Sequence, residues 1–150
     1  MSQLVTGATY RKNLLGQNVV SKTTGTLTAA TTDLFTIAGG IVMVTSIIGL
    51  VGTSITVANS FKLTNVPTSG DATDLCAATD IGTTDTTGGT VIGFDGTAGS
   101  SITKGSPGLV KPLFIPVGKI RQVSAGTDGT ITWYVTWVPY NNDVATLVAA

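Results

Sequence analysis

A chain of 150 residues is one domain of ordinary size, large enough to bury a core. Its eight acids are all Asp, eight bases balance them, and Glu and His are absent. Zero net charge argues against a free nucleic-acid binder, which needs a basic footprint, and removes charge repulsion as a guard against self-association.

Strand and turn formers far outnumber strong helix formers, so the chain reads as all-β. Residues 1–32 are Thr-rich and carry Arg11, Lys12 and Lys22 with no acid. They read as an N-terminal arm or edge segment with a short strand over 14–20. The single domain is expected over 33–150.

The run "LFTIAGGIVMVTSIIGLVG" has the hydropathy of a membrane span. Gly39, Gly40 and Gly49 interrupt it, its other residues are rich in β-branched types, and the nearest bases, Lys22 and Lys62, lie more than ten positions away. Membrane helices need about 20 apolar residues, commonly flanked by Lys or Arg. Two adjacent strands fit better, 34–38 and 41–51, with Gly39-Gly40 as a tight turn or bulge. A continuous apolar strand is covered on both faces, one by the core and the other by a second layer or another subunit.

Next, Ile55, Val57, Phe61 and Leu63 keep a period of two. They predict one half-buried strand or two short ones bending near Asn59. Residues 71–106 form a low-complexity Thr/Gly/Ser/Asp tract with one strand at 91–94 and five acids, Asp71, Asp74, Asp80, Asp85 and Asp95. "GLVKPLFIPVG" predicts an edge strand broken by Pro112 and Pro116. A strand over 119–124 follows, then a turn with Asp128-Gly129 at its tip. "TITWYVTWVPY" alternates, with Ile131, Trp133, Val135 and Trp137 on one face and Thr132, Tyr134, Thr136 and Val138 on the other. The two indoles face the core or a partner. About eight strands without a helix make an antiparallel β-sandwich of jelly-roll type with long Thr/Gly-rich loops, and a tube or other β-barrel stands second.

The inventory for catalysis is thin. Without His or Glu the commonest general bases and zinc ligands are missing, and neither a GxSxG nor a P-loop occurs. Cys76 stands alone, so it forms no intramolecular disulfide and reads as a small buried hydrophobe. The acids of 71–85 do not match an EF-hand and read as a solvated loop. No enzyme, catalytic residue, cofactor or metal is expected. Blocks of +3 (1–32), −5 (71–95) and +4 (104–121) either face one another across a subunit boundary, neighbour one another within one chain, or coincide by chance. No signal peptide is visible, so the chain is expected to remain in the cell that makes it or to leave by lysis.

The segments "LFTIAGGIVMVTSIIGLVGTSI", "ANSFKLTNVPTSGDATDLCAATDI" and "GTITWYVTWVPYNNDVATLVAA" resemble small virion proteins of tailed bacteriophages, of the head decoration or cement type. The resemblance covers roughly 34–150 and carries no catalytic signature. It implies a sandwich or jelly-roll subunit, plausibly a homotrimer, made in the host cytoplasm and bound to the capsid exterior, where it bridges major capsid protein subunits against internal DNA pressure. The expected partners are the chain itself and the major capsid protein, with no specific nucleic acid and no membrane. A tail, collar or baseplate structural protein is the alternative. So is a carbohydrate-binding host-recognition module using Trp133, Tyr134, Trp137 and Tyr140. If Trp133, Trp137 and the strand 41–51 line a subunit interface, an isolated subunit exposes an apolar patch that soluble monomers rarely carry.

Overall fold

The computed structural model describes Thr6, Gly7 and residues 18–150. Among them, twelve strands occur: β1 (Asn18–Thr26), β2 (Thr31–Ala38), β3 (Val42–Val51), β4 (Ser60–Pro67), β5 (Thr73–Asp74), β6 (Thr79–Asp80), β7 (Val91–Gly93), β8 (Thr103–Lys104), β9 (Leu113–Ile115), β10 (Gly118–Ser124), β11 (Thr130–Pro139) and β12 (Thr146–Ala149). They form two antiparallel six-stranded sheets that do not close, which overturns the tube or barrel alternative. Sheet A runs β1-β11-β3-β7-β8, with β9 sharing the far edge of β3. Sheet B runs β12-β2-β10-β4-β5, with β6 also on β4. Of the strand expected over 14–20, residues 14–17 lie outside the described residues, and 18–20 open the edge strand β1.

From β1 to β4 each strand goes to the sheet opposite its predecessor, as do β10 to β11 and β11 to β12. The run expected to make two adjacent strands therefore does not pair with itself: β2 lies in sheet B and β3 in sheet A. Gly39-Gly40 is a corner between layers. Gly39 takes φ +76°, and a Cβ there would sit 2.6 Å from the Val144 carbonyl oxygen. Only glycine combines that backbone with that approach. The corner is held by Asn141, whose Oδ1 accepts the Ile41 amide at 2.7 Å, and by Asn142, whose Nδ2 donates to the Gly39 carbonyl at 2.9 Å. The turn around Asp128-Gly129 is likewise a crossing, from β10 in sheet B to β11 in sheet A, and not a hairpin tip.

The core lies between the sheets. Along β11, Ile131, Trp133, Val135 and Trp137 are buried, as their alternation predicts. The Trp133 ring stacks on Phe61 of β4 with centroids 5.8 Å apart, joining the layers. Gly49 of β3 makes room for that indole, since a Cβ would lie 3.0 Å from Trp133 Cζ3 and 2.9 Å from Ile92 and Ile131. Four polar atoms in this layer have no protein partner: the indole nitrogens of Trp133 and Trp137, Asn65 Oδ1 and Gln122 Oε1.

The segment 55–63 bends where expected. Ile55 is buried and bridges to Thr86, Val57 is exposed, and Asn59 is buried at the bend. The Asn59 amide nitrogen donates to Ser124 Oγ at 3.0 Å, and its Oδ1 accepts the Ala125 amide at 2.9 Å. Cys76 is buried, with its Sγ accepting the Leu63 amide at 3.4 Å, and burial pushes its thiol pKa up.

Candidate functional site

The acids singled out in the sequence go to separate places. Among the described residues, no three of Asp, Glu, His and Cys converge as metal ligands would. Asp80 Oδ1 accepts the amides of Gly82 (2.9 Å), Thr83 (3.0 Å) and Asn59 (3.1 Å). Asp95 accepts the Thr97 amide at 2.8 Å. Asp128 accepts the Thr56 amide and hydroxyl, each at 2.8 Å, and the Val57 amide at 3.3 Å. These bonds to the ionised form hold all three carboxyls below their ordinary range, led by the Thr83 hydroxyl at Asp80, the Thr97 amide at Asp95 and the Thr56 amide at Asp128. They are loop organisers. At Asp80 and Asp95 the short carboxylate reaches amides two or three residues ahead, with "DIGT" and "DGT" as the sequence signal, whereas Asp128 ties its turn to the distant segment at Thr56 and Val57.

The outer face of sheet B gathers the remaining described charges that form ion pairs. Asp33 of β2 accepts Arg121 Nε at 2.6 Å and also the Lys119 ammonium, both from β10. Its carboxyl is held below its ordinary pKa chiefly by the Lys119 hydrogen bond. Lys62 of β4 pairs with Asp74 of β5 at 2.8 Å. Thr31, Thr36, Asp33, Lys119, Arg121 and Ala150 line an open cleft of about 680 Å³ on this face. At its rim the Lys22 ammonium of β1 donates to the Ala150 carbonyl, tying the edge of sheet A to the last residue of the chain. A second cleft, of about 440 Å³, lies between Phe94, Ser100, Pro107 and Leu109. The acidic and second basic blocks neighbour one another within one chain, where the Lys111 amide donates to the Asp95 carbonyl at 2.9 Å and its ammonium to Thr97 Oγ1 at 3.0 Å, but the ion pair of Asp74 is with Lys62, outside every block.

The outer face of sheet A is different. Strand register puts Val138, Met43 and Phe114 in one row, Val19, Thr136 and Ser46 in the next, then Ser21, Tyr134 and Ile48, then Thr23, Thr132, Leu50 and Val91. No outward position of β1, β3, β7, β9 or β11 carries a charged side chain. Phe114 packs against Tyr140, centroids 4.6 Å apart, and both rings are exposed. The second face of the apolar strand β3 is this surface, and the chain covers it only in part: Met43 and Ile48 are half-buried and Leu50 is exposed.

This placement corrects one expectation and divides another. Trp133 and Trp137 are core residues of the chain, 0% and 7% exposed, so they line no subunit interface and stack on no sugar. Of the four aromatics considered for carbohydrate, only Tyr134 and Tyr140 reach the surface. The sequence missed Phe114, flanked by prolines and counted only as part of an edge strand. It also missed β12, whose signal was the alternation of buried Ala145 and Leu147 with exposed Thr146 and Val148. No helix among the described residues is long and apolar enough to cross a membrane.

In comparisons with known proteins, no family model, no curated protein and no solved structure matches this chain.

Proposed function

We propose that this chain is a structural virion protein that decorates the exterior of a bacteriophage capsid and stabilises it by bridging major capsid protein subunits. The observation that carries this reading is the strand order. β1-β11-β3-β7 faces β2-β10-β4-β5, and the long strands alternate between the layers except at β4 and β10, which pair within sheet B. We read this order as jelly-roll wrapping, an architecture used by viral capsid domains among others. The link from this architecture to a virion is an analogy of fold. The sequence resemblance to phage decoration proteins adds the position on the shell.

The mechanism is contact area. A subunit bridging two capsid proteins buries on the order of 1,000 Å² or more and resists their separation. The partners are the major capsid protein and further copies of this chain, with a homotrimer the first arrangement to test. Capsids lacking the protein, mixed with the purified chain, are expected to bind it saturably and to release DNA at a higher temperature. Absence of co-sedimentation with such capsids would overturn the proposal. A tail, collar or baseplate position rests on the same fold, and a virion reconstruction separates it from the capsid. The exposed Phe114–Tyr140 pair keeps a glycan-binding reading open. Glycan-array binding lost in a folded Tyr140→Ala variant would favour that reading.

A further inference from the structure

We infer that the outer face of sheet A is a self-docking surface, and that its occupant is a second copy of this chain. The inference rests on the reading of the chain as an assembly subunit and assigns the face through which copies meet.

Charge selects the occupant. Two copies packed about a two-fold axis bring a surface against its own image, so any charge near the axis meets a like charge. The described residues include ion pairs on sheet B, yet the outward positions of β1, β3, β7, β9 and β11 in sheet A hold no charge at all. A partner recognised by opposite charge would find no complement here. An uncharged face is complementary to its own copy.

Desolvation favours the same conclusion. Five hydroxyls of this face bond to one another. Thr23 and Thr132 share a hydrogen bond of 2.9 Å between β1 and β11, and Thr136 shares bonds of 2.7 Å with both Ser46 and Thr45 of β3. Thr130 Oγ1 accepts the Thr53 amide at 2.8 Å. Hydroxyls with partners inside the face lose little when water leaves it, whereas unpaired ones would be stranded. Between them stand Val19, Phe114, Tyr134 and Tyr140, exposed by 66%, 53%, 40% and 61%. A sheet laid on an identical sheet has matching twist, so aligned face-to-face packing is open to it.

The test uses the full purified chain without capsids, so failure of self-docking and failure of capsid binding are seen separately. Sedimentation is expected to give a mass above that of one chain. Leu50→Lys and Tyr134→Lys each place like charges together and are expected to weaken association at least about a hundredfold. Val148→Lys, on the outer face of sheet B, is expected to leave the mass unchanged. Hydroxyl-radical footprinting of the unaltered chain should show Tyr134, Phe114 and Tyr140 protected on concentration and reactive on dilution, and this decides the matter should a lysine variant misfold. A wild-type chain that stays monomeric throughout, or an assembly with those three rings still reactive, would overturn the inference.

Discussion

On the outer surface of sheet B, Asp33, Lys62, Asp74, Lys119 and Arg121 pair their charges from strand to strand. On the outer surface of sheet A the corresponding outward positions hold Val, Met, Ile, Leu, Thr, Ser and aromatic residues. Both faces rest on one core, and both belong to a chain of zero net charge. Neutrality is therefore not spread evenly. One face carries three bases against two acids, ion-paired but with a net charge of +1, and the other carries no charge. Only the first is sensitive to pH and salt, and only the second can be brought against its own image without repulsion.

The contrast can be broken from the inside first. Phe61→Ala removes the ring that stacks on Trp133 between the layers and is expected to cost about 3–5 kcal/mol, read by urea unfolding. Both faces should fail together, because they share this core. A transition in which one sheet melts alone would break the comparison. Gly39→Ala is next. It forces a Cβ to within 2.6 Å of the Val144 carbonyl at a left-handed backbone position, and a loss of about 2 kcal/mol or more is expected from the same measurement.

Acid should act through Asp33 on sheet B and through the loop carboxylates, and through nothing on sheet A. Asp33, Asp80, Asp95 and Asp128 have pKa values lowered from the ordinary 3.8. A depressed carboxyl contributes stability that is fully present above its unfolded value and disappears as pH falls through its folded one. Thermal midpoints should therefore be level from about pH 6 to 4.5 and drop below about pH 4. A midpoint that rises on acidification would show that these bonds do not stabilise the fold. The smallest effect belongs to the exposed ion pairs. Asp33→Asn should cost at most about 1 kcal/mol, and less in high salt, because the pair is half-exposed and screened. Self-association through sheet A should not weaken under the same salt.

The strands were legible because their residues alternate. The segment 130–139 shows its two faces in the sequence itself, and β10 is marked off by Pro116 and the glycine corner beyond it. Partners were not legible. Gly39-Gly40 and Asp128-Gly129 look like hairpin turns, and both turned out to be crossings between sheets, since a glycine corner serves either use and the choice depends on strands a hundred residues away. The same limit hid the two faces. That Met43 lies between Val138 and Phe114 follows from register, and register is a tertiary fact. The Asp residues were read as a charge block because local bonding to amides leaves only the faint mark of a following Gly or Thr.

Asn18 sits opposite Trp137, and Lys22 opposite Trp133. The first long strand thus finds its hydrogen-bonding partner only near the end of the chain, and the one pair of consecutive long strands that do bond, β4 and β10, is separated by about fifty residues of loop and short strands. Contacts so distant in sequence slow folding, because the loop must close before any pairing rewards it. During synthesis β1 waits, unpaired, until β11 has left the ribosome, and β2 waits for β10. Production of this protein should accordingly respond to slower growth and lower temperature, with yield limited by the lifetime of the incomplete chain more than by the stability of the finished one.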